Sequence, residues 1–168
     1  MSEQKKPEKK YTAEFRESAV KLAVGSEQPI SKTAQELGIN KNTLHTWIGK
    51  YHIRALTRRT RGRRLDHIIA ELRETLLGWK AYFGIAEVLS PLRDIDKWIL
   101  CPLRCYQWKQ WGRAGYRELR KRGVTVREAW NTSKSAHGPW RLSKTPALTP
   151  ALPARYFSSR GLPALVAR

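Results

Sequence analysis

The sequence predicts an all-α protein: a small three-helix head joined to a larger helical body that ends in an irregular, Pro-rich tail. Three observations carry this. Apolar residues recur at helical spacing, with Gly or Pro where helices should stop or start. Seven Trp, six Tyr and three Phe in 168 residues are too many for a disordered basic chain. The cations also change type along the chain. Residues 1–50 hold 9 Lys+Arg, eight of them Lys, against 6 acids, whereas residues 51–168 hold 24, 18 of them Arg, against 8. Net charges of +3 and +16 mark two segments of different origin, joined near residues 51–57.

In the head, Thr12 is a helix N-cap, and the helix runs to about Val24. Phe15, Ala19, Val20, Leu22 and Ala23 supply its apolar face, and Gly25 stops it. A second helix starts near Pro29 and Ile30 and ends at Leu37. Gly38 follows where a tight turn needs positive φ, and Ile39 plugs the turn. Asn40 caps a third helix from Lys41 to about Tyr51, with Leu44, Trp47 and Ile48 on its buried side. A small residue at 34, a turn glycine at 38 and apolar cover from the third helix make a helix-turn-helix layout. The exposed side of that third helix would carry Lys41, Asn42, Thr43, His45 and Thr46. Asn bonds adenine in bidentate fashion, Lys reaches guanine or phosphate, and Thr meets phosphate or a thymine methyl. These five are the candidate DNA-binding residues. The other reading is a three-helix scaffold with a solvated polar face.

The head also resembles a known family. Residues 11–22 (YTAEFRESAVKL), 34–39 (AQELGI) and 43–47 (TLHTW) are similar to the N-terminal helix-turn-helix of insertion-sequence transposases, of the short first-frame type. The resemblance covers about residues 9–51. It implies recognition of terminal inverted repeats. A leucine zipper and an acidic catalytic triad in a separate frame belong to that family, and neither is in this sequence.

The body opens on a dense cationic run, residues 58–64 (RRTRGRR), which is either a nucleic-acid contact or a solvated linker. Leu65, Ile68, Ile69, Leu72, Leu76, Trp79 and Phe83 then recur at helical spacing up to Gly84. Ser90 and Pro91 start a long helix to about Trp111, with Leu92, Ile95, Trp98, Ile99, Leu103 and Tyr106 on its apolar side. Pro102 should kink or split it. A short helix spans about 116–122, and Thr125 with Glu128 has capping-box spacing for another ending near Ser133. After His137, five prolines should leave the chain largely irregular. Cys101 and Cys105, four apart on one helix face, are expected as reduced, packed thiols.

Cations alternate with aromatics in residues 104–111 (RCYQWKQW), a pattern suited to holding phosphates and stacking on unpaired bases. The competing view makes the aromatics core and the cations solvated; Trp98 and Tyr106 are expected in the core. Residues 57–63, 77–83, 96–99, 103–111 and 138–143, with Tyr156, Phe157 and 161–163, resemble the maturase-specific domain and C-terminal tail of bacterial group II intron reverse transcriptase/maturases. The resemblance covers about residues 57–168 and implies a thumb-like helical domain that grips intron RNA and assists its folding and splicing. The RNA-binding candidates are Arg58, Arg59, Arg61, Arg63, Arg64, Arg104, Lys109 and Arg141. Pro102 stands where the family pattern has a basic helix residue.

The expected organisation is a basic arm at 1–10, a helix-turn-helix at 11–51, a junction at 52–57, a maturase-specific domain at 58–136 and a tail at 137–168. A formal net charge of +19 and a pI near 10.5 favour nucleic acid as partner over an acidic membrane. No apolar run reaches the roughly 18 residues of a membrane span, and the charged first ten residues carry no secretion signal, so the cytoplasm is the expected compartment. No Tyr-x-Asp-Asp run, palm-length strand region or Cys-x-x-Cys pair occurs, and the four histidines are scattered. Asp94 and Asp96 point to different helix faces. The expectation is a non-enzymatic protein without cofactor or metal, binding group II intron RNA and DNA such as an insertion-sequence end. The alternatives are a component that acts only with a separate reverse transcriptase or transposase chain, and a fusion remnant without activity.

Overall fold

The computed structural model describes residues 11–85 and 89–166, with the backbone alone at 59 and 82–85. The basic arm at 1–10 and the side chains of Arg59 and Phe83 lie outside the described residues. The described residues form helices and turns, with no strand among them. None of these helices is long and apolar enough to cross a membrane. Two compact units emerge, Met1–Ile48 and Gly49–Arg168, and the division falls inside a helix.

The first unit contains α1 (Ala13–Gly25), α2 (Ile30–Glu36) and the start of α3 (Lys41–Leu56). Thr12 caps α1 by accepting from the Phe15 amide at 3.2 Å. Ala19, Val20 and Ala23 are buried, but Leu22, expected on the same face, is exposed. It lies about 200° round the helix from Val20, away from that stripe. After α2, Gly38 takes φ +62. Its amide donates to Gln35 O at 3.1 Å and the Ile39 amide to Ala34 O at 2.9 Å, which is a Schellman termination. Ile39 is thereby turned into the core beside Ala34, Leu44 and Ile48. The Asn40 side chain accepts from the Asn42 amide at 2.8 Å and caps α3. Trp47 closes the unit, meeting Tyr11 and Phe15 edge-on at ring-centroid distances of 5.1 and 6.5 Å.

α3 does not end near Tyr51. The stretch 51–57, which looks aperiodic in sequence, is helical as far as Leu56. Ile53 is fully buried in the second unit's core with Leu56 packed against it, and that burial sustains the helix. The Thr57 hydroxyl finishes it by donating to Ile53 O at 2.7 Å.

The rest of the second unit comprises α4 (Leu65–Ile85), α5 (Ser90–Trp111), α6 (Gly115–Lys121), α7 (Val126–Lys134), α8 (Pro139–Leu142), α9 (Leu148–Ala151) and α10 (Ala154–Ser158). α5 is the central post, packing on α4, α6 and α8. Its Leu92, Ile95, Ile99, Leu103 and Tyr106 share one core with Leu65, Ile68, Ile69, Leu72 and Leu76 of α4. Trp98 packs partly buried against that core. Pro102 does not split α5, which stays one helix with the proline buried inside it. Buried neighbours on both sides hold the turn, at the cost of the donor that Trp98 O would have had. Thr125 caps α7, its hydroxyl oxygen accepting from the Glu128 amide at 3.3 Å and its hydroxyl meeting the Glu128 carboxylate at 2.9 Å. The two cysteines form no disulfide, and the buried Cys105 thiol donates to Pro139 O at 3.2 Å.

The Pro-rich tail is mostly turns and irregular segments, as expected, but three short helices interrupt it. These are α8, α9 and α10, and the tail buries Leu142, Leu148, Leu152, Phe157, Leu162 and Leu165 in the main core. Its prolines fall where helices lose nothing by them: Pro139 opens α8, Pro150 sits in the first turn of α9 and Pro153 immediately precedes α10. Asp96 secures the last described turn, its carboxylate accepting from the Leu165 and Val166 amides, each at 3.1 Å.

Two glycines give opposite expectations. A Cβ on Gly49 would sit 2.6 Å from Ile95 Cδ1 and 3.2 Å from the Trp79 ring, whereas one on Gly78, in mid-α4, would meet nothing within 4 Å. Gly49→Ala should destabilise by about 1–3 kcal/mol through overpacking. Gly78→Ala should stabilise by about 0.5–1 kcal/mol by restricting the unfolded chain. Denaturant melts of both variants check the pair.

Candidate nucleic-acid interface

At the start of α3, Lys41 is exposed, and Asn42 and Thr43 are half-buried. His45 and Thr46, expected on the same open face, are each only 7% exposed. The cause is the width of the buried arc. His45 neighbours Ile48 and Gly49 one turn on, and both are buried. The Thr46 hydroxyl donates to Asn42 O at 2.9 Å, which turns it back along its own helix. Burial, with the nearby Lys41 charge adding to it, holds the His45 imidazole below its ordinary value of 6.5. Of the five DNA-binding candidates, the structure thus leaves Lys41, Asn42 and Thr43 accessible.

The cationic run at 58–64 is not a loose linker. Its middle forms a 3₁₀ turn, Arg59–Arg61, and Gly62 takes φ +65. Arg61 bonds Glu71 at 2.6 Å and Leu56 O at 3.1 Å, and Arg63 pairs with the other Glu71 oxygen. From α5, the Tyr106 hydroxyl and the Gln110 amide both donate to Arg63 O, at 2.6 and 2.7 Å. Arg61's hydrogen bond, with Arg63's charge beside it, holds the Glu71 carboxyl below the usual carboxylate value. Arg58 and Arg64 are exposed and make no ion pair with a described carboxylate.

Arg104 is displaced from the expected RNA-facing set. It is 8% exposed, and its Nε donates to Leu152 O at 2.9 Å. Burial lowers its pKa from the ordinary arginine value. α5 turns this position toward the tail, so the guanidinium serves as a strut for α9. Lys109 and Arg141 are exposed. Lys109 lines a small recess of about 160 Å³ with Gly62, Arg63, Tyr106 and Gln110. The structure therefore brings Arg63 and Lys109 together and leaves Arg141 elsewhere.

Sequence reasoning missed a second cluster. The Arg54 guanidinium lies 5.5 Å from the Trp98 ring centroid. Trp98 meets Trp140 at 6.1 Å, and Lys144 Nζ lies 5.5 Å from the Trp140 centroid. Arg54 sits in the stretch that reads as a junction, and its aromatic partner is 44 residues away in α5. No local spacing could reveal that pairing.

Comparison with known families finds two matches along the chain. Residues 5–77 match the helix-turn-helix family model described as Transposase. Residues 49–124 match the group II intron, maturase-specific domain. The chain thus carries one segment similar to a transposase helix-turn-helix and one similar to a maturase-specific domain. Each match covers less than half of the 168 residues, and they overlap over 49–77. The maturase-specific match begins at residue 49, where the second compact unit begins. It ends at 124, so α7 to α10 and Arg141 lie beyond it. No curated protein matches the chain.

The buried His45 sets a pH dependence. Its imidazole is held neutral in the fold and titrates at a higher pH once unfolded. Its contribution is therefore full above about pH 6.5 and is lost as pH falls through the lower folded value. His45→Gln should flatten the fall in unfolding free energy between about pH 7 and 5, measured by denaturant titration at several pH values.

Proposed function

We propose that this chain is a non-catalytic nucleic-acid-binding protein of mobile-element origin. In this reading its second unit binds group II intron RNA and assists its folding, and its first unit contacts DNA through α2 and α3. The observation that carries it is the charge of the maturase-like segment, 24 Lys+Arg against 8 acids, with Arg58, Arg64, Lys109 and Arg141 presented to solvent. Fixed cations on a helical frame bind a polyanion by displacing its counterions. The ordered 58–64 turn supports the RNA assignment, because Arg61 and Arg63 are held in place and lose less freedom on binding. Catalysis would come from a separate reverse transcriptase or transposase chain, since both matched families are represented here by binding segments. In domain terms, 11–51 acts as the DNA head, 52–57 as the junction, 58–136 as the RNA body and 137–168 as a tail that braces the body.

Filter binding of a group II intron RNA at several salt concentrations tests the RNA arm. Affinity should fall steeply with salt. Replacing Arg58 and Arg64 with Ala should reduce the slope of log affinity against log salt by roughly 0.7–0.9 for each phosphate no longer neutralised. Glu71→Gln should move it the other way, because Arg61 and Arg63 are released to the RNA. A salt-independent affinity, or a Glu71→Gln variant identical to the parent, removes the 58–64 turn from the interface.

The DNA arm rests on Lys41, Asn42 and Thr43. Asn42→Ala should cost about 1–3 kcal/mol at an insertion-sequence end and little on random DNA. Competitive binding of the two DNAs decides it; equal weakening on both would reduce the head to a helical scaffold.

A further inference from the structure

A recess of about 290 Å³ in the second unit is lined by Arg54, Thr57, Pro102, Cys105 and Trp140. It is bounded by the end of α3, the middle of α5 and α8, and none of its lining residues is acidic. We infer that this recess receives one unpaired nucleobase, stacked on the Trp140 indole, with Arg54 and Lys144 placed for the flanking phosphates. The inference rests on the RNA-binding reading and narrows it to one kind of RNA feature.

Size, surface and charge agree. The volume is near the lower limit of about 300 Å³ for small-ligand sites, so it suits one ring system. Trp140 is 42% exposed although it packs against Trp98 at 6.1 Å. An indole left this open gives up burial energy, and the part of the ring it exposes is where an unpaired base would stack. Two cations already ride on this aromatic pair, Arg54 on Trp98 and Lys144 on Trp140. They put positive charge at the rim, where the phosphates on either side of a flipped-out nucleotide would pass. The floor has polar reach. The Thr57 hydroxyl gives its proton to Ile53 O, so its oxygen is left as an acceptor for a base N–H. Pro102 keeps that wall short and uncharged. A base paired inside a duplex cannot present its face to an indole, so the ligand is a bulge, loop or single strand.

The test uses the full-length protein and a hairpin RNA with 2-aminopurine as a single-nucleotide bulge, against the same hairpin fully paired. Expected are tighter binding of the bulged RNA and a change in 2-aminopurine fluorescence on binding. Trp140→Ala should weaken the bulged RNA about 5- to 150-fold, the range for losing one base–aromatic stack, and abolish the preference over the paired hairpin. Trp140→Phe, which keeps a ring, should retain the preference. Trp130→Ala, which removes an exposed indole on α7, should leave it intact. A bulged DNA hairpin identifies the source of the base: preference for the bulge in either sugar supports the recess, and loss of it in DNA shows that the 2′-hydroxyl is read. Equal weakening of both RNAs by Trp140→Ala, or unchanged 2-aminopurine fluorescence, overturns the inference while RNA binding stands. A parent protein that binds neither RNA overturns the RNA reading itself, and the site with it.

Discussion

The second unit must fold with three times as many cations as carboxylates, and most of its architecture answers to that excess. Three of the described acids each serve two partners. Glu71 takes Arg61 and Arg63, Glu118 takes Lys121 and Arg122, and Asp96 takes two backbone amides of the tail. Ion pairs at the protein surface are each worth only about 0–1 kcal/mol, and the pairs of Glu71 and Glu118 are only partly buried. They cannot offset the repulsion alone.

The aromatic rings supply the remainder. Arg122 lies 4.5 Å from the Trp111 centroid and 5.5 Å from that of Tyr156, and Arg160 lies 3.8 Å from the Tyr156 centroid. Arg54, Lys134 and Lys144 each sit over a Trp. Such interactions contribute about 0.5–1 kcal/mol at exposed sites. Other cations are absorbed by main-chain carbonyls, as Arg104 is by Leu152 O and Arg120 by Val124 O. The unusual Trp content of this segment and its arginine content thus answer one requirement. Arg suits it better than Lys, because a planar guanidinium can stack on a ring and hydrogen-bond in its own plane.

What can be read from the sequence follows the range of the interactions. Local signals are legible: the Thr12, Asn40 and Thr125 caps, the Gly38 turn, the apolar stripe of α4 and the apolar side of α5. These depend on residues a few positions apart. The helices of the tail defeat a local reading because its prolines look like helix breakers. Three of the five fall at helix starts, and only the buried Leu148, Leu152 and Phe157 reveal that the segment has a core to pack on. Arg104 escapes it for the same reason. Its environment is set by Leu152, 48 residues away, and nothing in the alternating pattern of 104–111 distinguishes it from the exposed Lys109. His45 and Thr46 escape it as well, since nothing in their spacing distinguishes them from Lys41 and Asn42, yet both are buried.

The same charge excess links stability to partner. Arg58, Arg64, Lys109 and Arg141 make no ion pair with a described carboxylate. Solvent and counterions screen them within about 10 Å at moderate salt. A polyanion laid along them would relieve the residual repulsion and bind the folded arrangement in preference to the dispersed one, so binding and folding stabilise each other. Glu71 fits this logic as an internal stand-in. Its single carboxylate occupies two guanidiniums of the 58–64 turn and keeps the turn ordered. A phosphate could then replace it without the backbone having to find its shape, because Tyr106 and Gln110 already fix the Arg63 carbonyl from α5.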